Sequence, residues 1–343
     1  MKVLICGYNF HGYLDSIARG FMKNGCSVEV FAHPNISIRK LRSSNPAKRI
    51  YTWYRLRKIN NSLKGVLLKK MPDMVLCINA SSLLPDTVGF LCKNFISILW
   101  LVDALDRVAT DLNTIKAFKK VFVFEPTDRA RIEGAEFLPY GFDEEIYYKQ
   151  EVDKIYDVSF VGAGHKERYE PLNRLSEICE AMGFNLFVFG PFTLFKKDPS
   201  YKEKYPFLYR SLSYNGRLSP MEINRIYNRS WININLHHPQ SKEGVNPRTF
   251  EIAGSGNFQL IDRKEALKRL FGKDEIVMYS NIEELADKIS HFLKKKGSLF
   301  SMAERARKRA LSQHTFSHRA RHILTQVWHQ KAIFHQFLAP TIP

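Results

Sequence analysis

Cysteine, long apolar runs and one common metal motif are scarce or missing, and each absence narrows the possibilities. The 343 residues hold five cysteines, Cys6, Cys26, Cys77, Cys92 and Cys179, and no two of them have C-x-x-C spacing. A small disulfide-stapled scaffold is therefore not expected, and reduced thiols in a cytosolic compartment are. No stretch approaches the ~20 consecutive apolar residues of a membrane span, and the opening "MKVLICG" is too short an apolar run for a signal peptide. No D-x-D occurs, the nearest pattern being Asp143-x-Glu145 in a linker-like segment. No repeat of 20 to 50 residues and no low-complexity segment is present.

Acidic residues are missing where cations gather. Between Val30 and Pro72 there is no Asp or Glu, while eleven Lys and Arg fall there, in a chain of net charge +18. Within that stretch "RIYTWYRLRKINNSLKGVLLKK" interleaves Tyr51, Trp53, Tyr54 and Leu56 with Arg55, Arg57 and Lys58. The mixture suits the headgroup region of an anionic bilayer, which makes residues 38–70 a candidate membrane-facing surface. The plainer reading is a surface helix that packs its Trp, Tyr and Leu face on its own domain. Nucleic acid is not expected as a partner, because no recognition motif accompanies the charge. The location expected is cytoplasmic, peripheral at the inner membrane face if the patch docks.

What is present is alternation. "KVLICG", "CSVEVFAH", "PDMVLCINA", "SILWLV" and "KVFVFE" read as short buried strands separated by helical or loop segments. After the Pro/Gly turn and acidic run of "EFLPYGFDEEIYYKQEVDK" the pattern restarts with "YDVSFVGAGHKERYEPLNRLSEICEAMGFNLFVFG", then "WININL" and "NFQLID". Strands alternating with helices predict parallel sheets covered on both faces. The expected domains are 1–150, 151–325 and a C-terminal helix or tail over 326–343. Ser219, Pro220 and Glu222 read as N-cap, first helical residue and capping-box partner. "MAERARKRALSQHTFSHRARHILTQVWHQ" reads as one long helical pattern.

Residues 243 to 256, "EGVNPRTFEIAGSG", place Glu243 and Glu251 eight positions apart across a proline. Pro247 opposes a continuous helix and favours a helix start, so Glu243 is expected on a loop and Glu251 one turn inside a helix. Such a helix N-terminus is a place where a phosphate can bind. Likewise Lys166 and Arg168 follow the "GAG" turn at the start of a helix.

The succession "VGAGHKER", "NGRLSPMEINRIY", "NINLHHP", then E-x7-E running into "RTFEIAGSGNFQLID", resembles the group 1 glycosyltransferases. "RTFEIAGSG" is most similar to the branch named after the spore-maturation protein CgeB. The resemblance implies the GT-B fold, α/β, with two Rossmann-like parallel-sheet domains facing a central cleft. It further implies transfer of a sugar from a nucleotide-diphosphate sugar to an acceptor hydroxyl, with retention, in the synthesis of a cell-surface or lipid-linked glycan.

On that basis Glu251 is expected to meet the ribose hydroxyls, since a carboxylate accepts two hydrogen bonds from a vicinal diol. Glu243 is expected to face the donor sugar and stabilise positive charge developing there. Lys166 and Arg168 are expected at the diphosphate, with Arg168 favoured for its fork. Arg217 and Leu218 of "NGRLS" are expected near the base or phosphate, and His238, Arg248 and Thr249 complete the donor set, although Arg248 could instead pair with Glu251. In the first domain, Gly12 would bring backbone close to the donor and His11 is a catalytic candidate. Asp103, ending "WLVD", would orient the acceptor or act as base, unless it is only a helix cap. No metal and no cofactor beyond the nucleotide sugar is expected. A sugar-nucleotide epimerase and a noncatalytic glycan or polyanion binder are the rivals.

Overall fold

The computed structural model describes residues 1–337, with side chains placed as far as Val327; residues 338–343, part of the expected C-terminal tail, lie outside them. The chain divides into two compact units. One comprises Met1–Tyr140 and the described chain from Phe316 on; the other is Gly141–Thr315.

The first unit is built on six parallel strands: β1 (Lys2–Gly7), β2 (Ser27–Ala32), β3 (Met74–Ile78), β4 (Ile96–Leu101), β5 (Lys120–Val123) and β6 (Glu136–Phe137). Their order is β2-β1-β3-β4-β5-β6. The central strands are apolar at nearly every position because helices cover both faces. Leu4, Val75, Leu99 and Val123 point into one layer, and Ile5, Leu76, Ile98 and Phe122 into the other. The strand order reverses direction between β1 and β3, the switch point whose carboxyl-end crevice receives ligands in such sheets.

The helix Pro46–Lys70 starts where sequence chemistry says it should. Asn45 accepts from the Lys48 N–H, and Pro46 opens the first turn. It buries Leu56, Ile59, Leu63 and Leu67, whereas Tyr51, Trp53 and Tyr54 are 61%, 48% and 62% exposed. Of the two readings of this segment, the one that packs its aromatic rings on the domain does not hold, because a stripe of Leu and Ile already fills that face.

The second unit repeats the plan with β7 (Tyr156–Val161), β8 (Leu186–Phe189), β9 (Leu212–Tyr214), β10 (Ser230–Asn235), β11 (Gln259–Asp262) and β12 (Val277–Tyr279). The order is β12-β11-β10-β7-β8-β9, all parallel. Its switch point lies between β7 and β10, paired at Val158↔Ile232 and Phe160↔Ile234. Ser219 caps the helix Pro220–Asn228 in a full capping box with Glu222.

The stretch after Phe137 belongs to both units. Phe142 sits where a side chain on Gly254 would meet its ring at 2.1 Å, so the second unit already includes Gly141. The expected single long helix near the C-terminus is broken. Lys296–Gln313 ends at His314, whose ring Nε2 faces the Leu270 carbonyl at 2.9 Å, and a new helix runs Phe316–Phe337. Phe316, Ala320, Ile323 and Val327 of that second helix complete the core of the first unit against Leu14, Ile17 and Phe21. The helices touch so closely that a Cβ on Gly20 would lie 2.5 Å from the Phe316 carbonyl oxygen. The expected boundary lies after residue 325, whereas the change of unit falls ten residues earlier, between Thr315 and Phe316.

Candidate active site

At the switch point of the second unit, β7 runs into Gly162, Ala163 and Gly164 before the helix Lys166–Ala181. Small residues are required here. A Cβ at Gly162 would stand 2.7 Å from an Arg248 guanidinium nitrogen, and one at Gly164 2.4 Å from the Phe192 ring.

Arg168, expected open to a diphosphate, is turned inward and is only 4% exposed. It donates from one terminal nitrogen to the Ala163 carbonyl (2.8 Å) and from the other to the Leu236 carbonyl (2.9 Å). It therefore ties the β7 loop to the β10 loop. The planar fork that made it attractive as a phosphate ligand is the reason it can bridge two carbonyls. Arg248 lies beside it, donating to the Val161 carbonyl at 2.8 Å and more weakly to Leu236 at 3.4 Å, and both guanidinium groups lie over the Phe160 ring. Arg248 is half-buried, not sealed.

Two like charges on one carbonyl repel. Burial, and then the Arg248 charge, push the Arg168 pKa well down from its ordinary value; Asp262 is the carboxylate that offsets this most. Asp262 is itself claimed. Its Oδ1 accepts from the His237 backbone N–H (2.9 Å) and from the His237 ring at Nδ1 (2.5 Å), and Lys264 stands 3.6 Å from Oδ2. An ionised carboxylate only accepts, so His237 carries its proton on Nδ1. Its Nε2 is then a buried acceptor without a hydrogen-bond partner. Burial drives the His237 pKa down, while the Asp262 carboxyl stays below its usual value against the cost of burial, held there chiefly by the His237 ring.

The helix expected near Pro247 is Arg248–Gly254, with Pro247 immediately before it. Glu251 lies one turn in and is 3% exposed. Its charge is felt by two buried phenols, Tyr147 and Tyr227, whose pKa values rise well above the ordinary first through burial and then through Glu251; the Tyr147 hydroxyl hydrogen-bonds to it. Thr249, placed in the donor set by sequence, is fully buried. Its hydroxyl accepts from Asn235 at 3.1 Å and its carbonyl from Gln259 at 2.8 Å, so it serves an internal amide network. Glu243 is half-exposed on the loop after β10, its carbonyl accepting from the Ala266 N–H.

The other expected donor residues lie in the same unit. Lys166 is exposed at the first position of its helix. His238 is half-exposed, its ring edge against His165 at 4.8 Å, which joins the β7 and β10 loops a second time. Arg217 is exposed and Leu218 half-exposed on the turn after β9, where the Tyr214 hydroxyl faces the Arg217 carbonyl.

In the first unit His11 and Gly12 follow β1 with φ of 49° and 76°. A left-handed histidine is uncommon, and strain of this kind clusters at functional loops. Asp103 follows β4 and is half-buried, accepting from the Asn79 side-chain amide at 2.9 Å. No helix starts there, so it caps none. Asn79 also has positive φ, 59°, and receives the Val102 N–H.

Sequence reasoning missed the His237–Asp262 pair, Tyr147 and the Asn235–Gln259–Thr249 network. The signal for the last was in plain view. In "WININL" the isoleucines alternate with asparagines, so one face of a central buried strand is amide-bearing and needs internal partners. Among the described residues no group of three or more His, Cys, Asp or Glu side chains is arranged to hold a metal ion, and no helix is long and apolar enough to cross a membrane.

Two six-stranded parallel sheets with flanking helices, each with a switch point in its strand order, match the GT-B fold of glycosyltransferases. Residues 169–325 match the family model described as glycosyl transferase-like. No curated protein matches the sequence significantly. Among solved structures, the sucrose-phosphate synthase of Thermosynechococcus elongatus superposes with a TM-score of 0.70 at 13% identity, covering 97% of this chain and 99% of that one. HepE of Anabaena, solved with UDP-glucose, gives 0.66 at 12% identity over 95% and 100%. The α,α-trehalose 6-phosphate synthase of Burkholderia multivorans gives 0.66 at 10% identity over 100% and 99%.

Proposed function

We propose that the protein transfers a sugar from a nucleoside-diphosphate sugar to an acceptor hydroxyl, as a retaining enzyme of the CgeB-like branch acting in cell-surface or lipid-linked glycan synthesis. The observation that carries this reading is the guanidinium pair Arg168 and Arg248 on the Leu236 carbonyl at the β7/β10 switch point. The carboxylate that most offsets the Arg248 charge at Arg168, Asp262, is already engaged by His237. A bound anion would relieve that repulsion, and the leaving group of the reaction is an anion.

In this reading the diphosphate meets Arg248, Lys166 and the backbone N–H groups at the start of the Lys166–Ala181 helix. Arg168 acts behind them as a positioning residue that holds the two loops together. Glu251, oriented by Tyr147, presents its remaining acceptor capacity to the ribose hydroxyls. Glu243 stands at the sugar and stabilises positive charge as the bond to the diphosphate lengthens. HepE is described in complex with UDP and with UDP-glucose; a uridine nucleotide is accordingly the first donor to try. Acceptor contacts are assigned to Asp103 and the His11–Gly12 turn. The protein is placed in the cytoplasm, with the exposed Tyr51, Trp53 and Tyr54 and the adjoining cations resting on the anionic inner face of the membrane.

A thermal-shift panel of nucleoside diphosphates and their sugars tests the donor assignment. A ligand at 100 times its Kd adds about 2.7 kcal/mol of apparent stability. The expected result is a rise with at least one nucleoside diphosphate that is reduced in Glu251→Gln. A flat response across the panel overturns the reading.

A further inference from the structure

The first unit holds a cavity of about 730 Å³ remote in sequence from the donor residues, lined by Pro34–Ile36, Arg39, Lys40, Arg42, Ser43 and one face of the Pro46–Lys70 helix. That face is Lys48, Tyr51, Thr52 and Arg55, spaced three, four and seven apart as helix geometry requires. Five of the lining side chains are cations and none is a carboxylate.

The walls are fixed. Arg39 donates to the carbonyls of Asp106 and Val108, both at 2.7 Å, and so acts as a strut between the loops after β2 and β4. The Ile38 N–H reaches the Ser81 carbonyl, and the Ser82 hydroxyl reaches the Ile36 carbonyl. Arg55 lies over the Tyr51 ring and donates to its hydroxyl at 3.2 Å, leaving the phenolic proton free to donate onward. Lys40, Arg42 and Lys48 are exposed and enter no ion pair among the described residues. Packing like charges around a hollow costs stability unless something of opposite sign enters.

We propose that this cavity is a binding site for a phosphoester group borne by the acceptor. Phosphate offers three strong acceptor oxygens, and several ammonium and guanidinium donors converging with a phenol and the Ser43 hydroxyl match it. A single carboxylate needs one fork and leaves the remaining cations unmatched. The volume falls within the ~300–1,000 Å³ usual for small-ligand sites and exceeds what a bare phosphate fills, so the phosphate arrives attached to a body of about sugar size. That the ligand is the acceptor rests on the glycosyltransferase reading; that the cavity binds phosphoesters does not.

The test is a calorimetric titration with inorganic pyrophosphate and with glucose 1-phosphate, UDP being present in excess. Wild-type protein is compared with Arg42→Glu/Lys48→Glu and with Arg57→Glu/Lys58→Glu, a charge-matched pair on the same helix outside the cavity. Saturable binding is expected, weakened at least about tenfold by the first pair and changed less than about twofold by the second. A tenfold change equals about 1.4 kcal/mol, below the ~1.5–3 kcal/mol of one charged hydrogen bond. Absence of saturable binding, or equal weakening by both pairs, overturns the proposal, since the second result means a diffuse field only.

Vesicles of phosphatidylcholine with phosphatidic acid, against phosphatidylglycerol at equal content, then separate the sources. A preference for phosphatidic acid that vanishes in Arg42→Glu/Lys48→Glu marks a lipid headgroup as the ligand. Vesicle binding lost only in Arg57→Glu/Lys58→Glu, with the titrations as expected, marks a soluble phosphoester. UDP binding is read in the same samples: intact UDP binding without a pyrophosphate response sinks the cavity alone. A missing UDP response sinks the donor reading and leaves the comparison of the two pairs standing.

Discussion

Replacing Arg248 by methionine distinguishes a ligand-binding guanidinium from a structural one, because its neighbour Arg168 supplies the internal standard. Arg248 makes one good hydrogen bond, to Val161 at 2.8 Å, and one at 3.4 Å that contributes little. Losing a charged donor to a carbonyl costs about 1.5–3 kcal/mol, and the contact with Phe160 about 0.5–1 more. Against this, methionine removes the repulsion that depresses Arg168. The net loss of fold stability is expected near 1–2 kcal/mol.

If Arg248 also meets the diphosphate, UDP loses a charge-assisted contact worth about 1.5–3 kcal/mol, or roughly ten- to a hundredfold in Kd. Arg168→Met should reverse the weighting. It forfeits two bonds of 2.8 and 2.9 Å from a side chain that is almost sealed, so its melting temperature should fall well below that of Arg248→Met. Calorimetric UDP titration and thermal melts on both variants give the comparison. UDP affinity within about twofold of wild type in Arg248→Met, together with a melt as low as that of Arg168→Met, refutes the assignment.

Glu243→Gln is expected to bind UDP normally and turn over at least about tenfold more slowly, because its interaction strengthens only as charge develops at the sugar; steady-state kinetics showing wild-type kcat sinks that role. Added EDTA should leave transfer activity unchanged, with Arg248, Lys166 and backbone N–H groups meeting the phosphate charge; activity lost to EDTA and restored by magnesium or manganese refutes this. Stability should fall on acidification. The His237 pKa is depressed by burial, so its contribution is complete above the unfolded value near 6.5 and is lost as pH falls below it, by at most about 1.4 kcal/mol per pH unit. His237→Asn, which can still donate to Asp262 but cannot titrate, should flatten the melting temperature between pH 7 and pH 5; an unchanged slope contradicts the claim.

How much could be read beforehand depended on whether the signal was local. Strands such as "MVLCI" and "WININ" announce themselves because a parallel strand is apolar where helices cover it, and the Ser219 capping box is complete within four residues. β6, β9 and β12 escaped notice since two or three residues carry no periodicity. The inward turn of Arg168 was illegible for a different reason: one of its acceptors, the Leu236 carbonyl, lies 68 residues away. The same holds for His237 and Asp262, 25 residues apart and joined only because β10 and β11 are neighbours. At His314 the helical pattern continues through a break imposed by contacts with Phe250 and Phe271.

The return of the chain at Phe316 bears on how the protein is made. Residues 141–315 form an insertion of 175 residues within the first unit. At ~5–20 residues per second, a ribosome needs about 9 to 35 s to traverse it. Throughout that interval Leu14, Ile17 and Phe21 wait for the helix that covers them, whereas the second unit emerges contiguous and able to close first. Nascent chains are thus most prone to aggregate late in synthesis, with a finished second unit and an open first one. Truncations just before Phe316 should be as damaging as those within residues 141–315.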